Sequence, residues 1–308
     1  MRKMPFFALF CVFVLHFSDA PAFAAGQNEF QPPAAGFPDM DALLPDVSDA
    51  FAQMDEALSA PVIDMTLEDE YFLGRAVAAE VLRAYGAYAG NPALTAYLNK
   101  IALAITINSP KPSLFSGYQV AILDTDEIAA FATPGGHIFL SRGLIAIAPS
   151  EDALAAVIAH EIAHIQLRHV PAVLANQRAV QELSAVAERA ASIAARHLSD
   201  QERIALFQVS LSAATDALFR DGFSRDQEFQ ADRAARVLLA NAGYDPAALE
   251  EMLRLIGRHQ AGGGMIRTHP SPEARIANLQ SSPVGRAEGL GRENLPARRA
   301  RFSAAAGR

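Results

Sequence analysis

The sequence predicts an α+β fold, mainly α, in which one small antiparallel sheet sits among many helices. Three observations predict it. Apolar residues recur at helical spacing over most of the chain, between residues that start and stop helices. The period drops to two only between about residues 118 and 140. And 51% of the 308 residues are hydrophobic, which is ample for a packed core.

Taken in order, Thr66-x-x-Asp69 caps an amphipathic helix that runs to about Tyr85. Asn91-Pro92 starts a second, ending near Asn108-Ser109-Pro110. Residues 118–123, 128–133 and 137–140 then read as three strands of an antiparallel meander. Its turns are Asp124-Thr125-Asp126 and Pro134-Gly135-Gly136. Helix resumes after Gly143. Ser150 caps the next helix, Glu151 and Asp152 suit the positive end of its dipole, and Pro171 is expected to stop it. Ser224-x-x-Gln227 is a capping box that opens a later helix.

The two ends of the chain read differently. Met1-Arg2-Lys3, an apolar run over 4–17 and an A-x-A site ending at Ala24 make residues 1–24 a secretory signal peptide. That run is shorter than the roughly 20 residues a spanning helix needs; a signal kept as an anchor is the alternative. Residues 25–60 are an acidic, Pro-rich arm with seven acidic residues and no Lys or Arg. Residues 282–308 are expected to be an Arg/Gly-rich flexible tail, with six Arg and two Glu. One domain then occupies 61–281.

Charge and cysteine content exclude several classes. The net charge of −8 argues against nucleic acid as a partner, since phosphate binding needs clustered Lys and Arg. The single cysteine, Cys11, lies inside the signal, which excludes a disulfide scaffold and any multi-cysteine metal site. Past the signal no run of 18 apolar residues occurs. The nearest, 204–219, is broken by Gln208, Ser210, Ser212, Thr215 and Asp216 and reads as a buried or interfacial helix, so no transmembrane span is expected.

His160-Glu161-Ile162-Ala163-His164 carries the chemistry. Histidines four apart project from one helix face, one turn apart, and two imidazoles there can grip one Zn2+ ion per chain. Glu161 lies about 100° around the helix from His160, beside the metal rather than on it. From there it can take a proton from water and pass it to a leaving amine. With eight histidines in the chain, such a motif arises by chance about 0.01 times.

A hydrolytic zinc needs a third protein ligand and an open position. Leu167 and Val170 stand where an H-E-x-x-H-x-x-G-x-x-H extension needs Gly and His. His169 is about half a turn round from His160 and is expected to point away. Glu182 and Glu188 lack an Asp four residues later. Glu228 has one, Asp232, a turn further on the same face. Asp232 could accept the spare ring N–H of a ligating histidine. By spacing alone the same residues also read as an exposed charged helix.

These residues resemble the HtpX-like, BepA-like and CAAX-prenyl-protease-like zinc metallopeptidases, the M-forty-eight peptidases of the gluzincins. The resemblance covers about residues 66–280. Its motifs are the H-E-x-x-H helix, Glu228-Phe229-Gln230-Ala231-Asp232 after Ser224-Arg225, Gly243-Tyr244-Asp245-Pro246, Pro134-Gly135-Gly136-His137-Ile138, and Thr268-His269-Pro270 with Arg275-Ile276 following. It implies a helical zincin metallopeptidase domain with Glu228 as third zinc ligand. It implies that Gly135, Gly136, His137 and Ile138 form the edge strand that pairs with an extended substrate. It implies that His269 either fills the fourth zinc position, holding the enzyme latent, or stabilises the tetrahedral oxyanion. Transmembrane helices and C-terminal helical repeats of some members have no counterpart, so the resemblance is nearest to short, single-domain periplasmic members.

The leading expectation is a periplasmic zinc endopeptidase acting on unfolded or misassembled envelope proteins. A second is a zinc-latent chaperone or adaptor of envelope assembly. A third is peripheral membrane contact through 204–219 and the basic tail.

Overall fold

The computed structural model describes residues 66–174, 215, 222–259, 269–282 and 295–307. Residues 1–24 and 25–60, expected to be a signal peptide and an acidic arm, lie outside the described residues, as do Glu182, Glu188 and all of 204–219 but Thr215. In chain order the elements are α1 (Leu67–Tyr85), α2 (Pro92–Ile107), β1 (Gln119–Leu123), β2 (Ala130–Thr133), a 3₁₀ turn (Pro134–Gly136), β3 (His137–Ser141) and α3 (Arg142–Ile147). They continue with α4 (Glu151–Gln166), α5 (His169–Leu174), α6 (Arg225–Asn241), α7 (Ala248–His259), α8 (Pro272–Ser281) and α9 (Leu295–Ala306). Among them no helix is long and apolar enough to cross a membrane.

The fold is built around α4. All 16 of its residues are buried, as its Ala- and Ile-rich sequence requires of a helix without a polar face. It packs against α2, α6, α7, α9 and β2. Ser150 caps it as expected, accepting from the Ala153 N–H, a contact worth about 1 kcal/mol. Pro171 does not stop it. Instead α4 ends at Gln166, Arg168 adopts φ 55°, and Pro171 falls in the first turn of α5, where a missing N–H costs nothing. The buried Gln166 side chain ties this end to the segment between α2 and β1 by donating to Ser109 Oγ at 2.8 Å and Tyr118 Oη at 3.0 Å.

The sheet corrects the expected meander. Its order is β1-β3-β2, with β1 parallel and β2 antiparallel to β3. The turn positions were legible, but strand order was not. The clue lay in β3, whose Ile138-Phe139-Leu140 run is apolar on both faces, the signature of a central strand. Val120, Ile122, Ala132, Ile138 and Leu140 join the α4 core, while Leu123, Phe131 and Phe139 face a smaller cluster with Leu73, Val77 and Val81 of α1. One sheet therefore separates α1 from the helices around α4.

The tail is also corrected. Residues 295–306 form α9, docked on α4. Phe302 is buried, Arg298 Nε donates to Asp152 Oδ2 at 2.8 Å in a buried pair, and Arg301 makes two hydrogen bonds to Glu151. The arginines that suggested a solvated tail are there to meet the acidic first turn of α4.

Candidate metal centre

Four side chains converge at the C-terminal half of α4. His160, His164, Glu228 and His269 each offer one ligand atom, all within 4.8 Å of one another. It is the one such cluster among the described residues. His160 and His164 stand one turn apart on α4 with their Nε2 atoms 3.0 Å from each other. Glu228 comes from α6, where the Ser224–Gln227 capping box fixes the helix start. Its carboxylate lies 3.5 Å from both Nε2 atoms. His269, just before α8, places Nδ1 2.6 Å from Glu228 Oε1.

The donor set fits a divalent cation. Two imidazole Nε2 atoms and a carboxylate facing one another are the N/O donors that zinc takes. Glu228 Oε2 and Glu161 Oε2 are buried without a hydrogen bond, a costly state that a cation would relieve. Asp232 Oδ1 lies 3.1 Å from His160 Nδ1, on the far side of the ring from the cluster.

Electrostatics follow from burial and these pairings. Burial and Arg275 disfavour a proton on His160, but Asp232 and Glu228 outweigh them and raise its imidazole to about 9. Glu228 resists its own burial: His269 and His160 hold its carboxyl well below the usual range. Asp232 likewise is lowered to about 2, because Arg275 outweighs desolvation. Glu161 goes the other way, its carboxyl raised by burial. A carboxylate so raised is a stronger proton acceptor than one in water.

Beside the cluster opens a pocket whose polar wall is His160, Glu161, His269 and Arg275. Its apolar wall is Ile128 and Ala129 leading into β2, Ala130 at its start, Leu144, Val157, and Leu249, Met252, Leu253 and Ile256 of α7.

The expected substrate strand is corrected here. His137 and Ile138 belong to β3, which is central, with its backbone groups paired to β1 and β2. Gly135 and Gly136 are buried, at φ 74° and 105°. A Cβ on Gly135 would sit 2.3 Å from Tyr71 Cα, and one on Gly136 would sit 2.2 Å from the Gly117 carbonyl. These glycines admit the protein's own chain, not a substrate. The edge facing the pocket is β2. Ser141 N donates to Ala129 O and Ala129 N to Ser141 Oγ. Antiparallel alternation then turns the Ala130 N–H and C=O outward.

Three further contributors were assigned no role from the sequence. Arg275, in the first turn of α8, donates twice to Asp232, at 2.9 and 2.5 Å, and lies within 3.3 Å of both His160 ring nitrogens. His169 does not point away: Arg168 reverses the chain and brings His169 Nδ1 to 2.9 Å from His164 Nδ1. Phe223, preceding α6, stacks on His164 with ring centroids 3.9 Å apart.

Comparison with known proteins gives a family match that spans the cluster. The family model described as Peptidase family M48 matches residues 90–282, which include every residue of the cluster. The beta-barrel assembly-enhancing protease of Escherichia coli (strain K12) is 29% identical over 204 residues, 65% of this chain and 41% of that protein. The mitochondrial metalloendopeptidase OMA1 of Schizosaccharomyces pombe (strain 972 / ATCC 24843) is 29% identical over 223 residues, 70% of this chain and 62% of that protein. OMA1 of Arabidopsis thaliana is 30% identical over 173 residues, 54% of this chain and 32% of that protein. The chain thus spans about two-fifths of the beta-barrel assembly-enhancing proteases it matches.

Proposed function

This chain belongs to peptidase family M48, and we propose that it is a zinc-dependent endopeptidase. The observation that carries the reading is the convergence of His160, His164 and Glu228 beside a buried, proton-hungry Glu161. The two histidines and Glu228 hold the metal. Zinc bound there supplies Lewis-acid chemistry, lowering the pKa of water and polarising a scissile carbonyl.

Glu161 does the proton work. Its raised carboxyl accepts the proton of the attacking water, and the same oxygen returns it to the leaving amine. Asp232 accepts from His160 Nδ1 and so aims its Nε2 at the cluster. Arg275 holds Asp232 in place for that task. His269 has two possible duties at one position: a fourth donor that closes the site, or, swung aside, a donor to the oxyanion. Its 2.6 Å contact with Glu228 supports the closed arrangement as the resting one.

Substrate binding falls to β2 and the pocket. The outward N–H and C=O of Ala130 can pair with an extended peptide backbone, the edge-strand mode of recognition. The apolar wall of α7 and Val157 favours an apolar side chain next to the scissile bond. Requiring an extended backbone selects unfolded over folded protein.

The setting we propose is the bacterial periplasm, with unfolded or misassembled envelope proteins as substrates. Support comes from the signal-like residues 1–24 and from relatives named as beta-barrel assembly-enhancing proteases. Matched relatives bear protease and metalloendopeptidase names, so the adaptor reading is not retained. The test is digestion of an unfolded protein with and without a chelator. Cleavage should stop on metal removal and return with about one zinc per chain. Folded protein that takes up no metal on zinc addition would overturn the reading.

A further inference from the structure

We infer that His169 and Gln230 form a relay that fixes His164 in its metal-binding tautomer. The inference rests on the zinc reading above and goes past the ligands to the residues that aim them.

The geometry is a chain of three groups. His164 turns Nε2 toward the cluster, 3.0 Å from His160 Nε2 and 3.5 Å from Glu228 Oε1. Its other nitrogen, Nδ1, lies 2.9 Å from His169 Nδ1. His169 Nε2 in turn lies 3.2 Å from Gln230 Oε1. His164 and His169 are both buried.

Proton counting gives the chain a direction. Two ring nitrogens 2.9 Å apart share one proton, so one donates and the other accepts. An amide oxygen only accepts. With Gln230 Oε1 facing it, His169 carries its proton on Nε2 and leaves the Nδ1 lone pair free. His164 must then donate from Nδ1, which leaves its Nε2 lone pair aimed into the cluster. Run in reverse, the chain would place a proton on His164 Nε2, in the metal's position. Only the first direction is compatible with a ligand.

The surroundings hold the relay in place. Arg168, at φ 55°, is tied to Glu70 of α1 by a 2.6 Å hydrogen bond from Nε, so the reversal that delivers His169 is anchored. Phe223 stacks on the His164 ring and stops it turning. Gln230 lies on α6 between Glu228 and Asp232, so one helix supplies a ligand, the partner of His160, and the far end of the chain that reaches His164 through His169. The partners differ: His160 meets a carboxylate, His164 a neutral imidazole–amide chain. A carboxylate raises the basicity of its histidine more than a neutral acceptor does.

His169 and Gln230 are positioning residues, so the test reads metal affinity and not turnover. Zinc dissociation constants would be measured by competition with a chromogenic chelator, on full chains of wild type, His169→Phe, Gln230→Met and Gln230→Glu. Thermal midpoints of the metal-free proteins serve as the fold control. His169→Phe keeps the ring but loses the acceptor; Gln230→Met keeps length but loses the oxygen. Each should weaken zinc binding by about 10–100-fold with its metal-free midpoint unchanged. Gln230→Glu keeps an acceptor and should stay within about threefold of wild type. In the zinc-loaded wild type, the His164 ring should show a slowly exchanging N–H at Nδ1 by nitrogen-15 NMR, and His169→Phe should lose its protection. Wild-type affinity in both His169→Phe and Gln230→Met overturns the relay alone. A wild type that binds no zinc overturns the relay together with the reading it rests on.

Discussion

Arg275 grips Asp232 with two hydrogen bonds, Nε to Oδ2 at 2.9 Å and Nη2 to Oδ1 at 2.5 Å, directly behind the His160 ring. The pair is buried, 9% and 0% exposed at the side chains, so neither charge can be left alone cheaply. Asp232→Asn should cost about 3–5 kcal/mol, because it strands a buried guanidinium. It should also weaken zinc binding by about 10–100-fold through His160. Urea denaturation of the metal-free protein and chelator competition measure the two effects.

The same pair sets a pH window. Asp232 is held at about 2 in the folded protein against an ordinary value of 3.8. A carboxylate lowered on folding contributes stability above its unfolded value and loses it as pH falls through the folded one. The stability gap between metal-free wild type and Asp232→Asn should therefore shrink as pH falls from about 4 to 2. A gap that widens over that interval would contradict the assignment.

The C-terminal helix should matter to the fold. Arg298→Ala leaves Asp152 buried without its cation and should cost about 3–5 kcal/mol. Phe302→Ala should cost about as much through the cavity it leaves. Arg301, 55% exposed at its side chain, should contribute less than about 1 kcal/mol. Urea midpoints of the three variants rank the contacts. Equal, small effects would mean that α9 is not docked in solution.

The pocket should set the cleavage preference. Met252 and Leu253 line the apolar wall next to Glu161. Peptides with an aliphatic residue beside the scissile bond should be cut at least about tenfold faster than those with Asp or Lys there. Leu253→Arg should favour acidic residues at that position. Product analysis of a peptide mixture by mass spectrometry reads both; an unchanged preference would remove the pocket from substrate selection.

His269→Ala should alter the peptidase rate, upward if His269 closes the resting site and downward if it serves the oxyanion. The direction assigns the duty, and an unchanged rate rules out both.

Local signals were legible in the sequence, and spatial ones were not. The H-E-x-x-H helix, its Ser150 cap and the Ser224–Gln227 box depend on neighbours within four residues, and all stand as expected. Glu228 and Asp232 stand four apart on one helix, but spacing alone left them readable as exposed charges, and it was the family resemblance that singled them out. Strand order was not, since turn residues fix where strands end but not which strand is central. The family resemblance placed the substrate edge on β3, while the sheet edge at the pocket is β2. His169 was misplaced because helical geometry was extrapolated past Arg168, where the backbone turns left-handed. Arg275 and Arg298 do their work across 43 and 146 residues of sequence, beyond any periodicity.

The proposed role of Glu161 is to move the proton in a peptide hydrolysis at the His160–His164–Glu228 centre. The most direct measurement is the cleavage rate of an unfolded protein by wild type and Glu161→Gln at equal zinc content. The account predicts a loss of about 10²–10⁴-fold in the variant with zinc still bound. A Glu161→Gln protein that holds zinc and cleaves at the wild-type rate would contradict it.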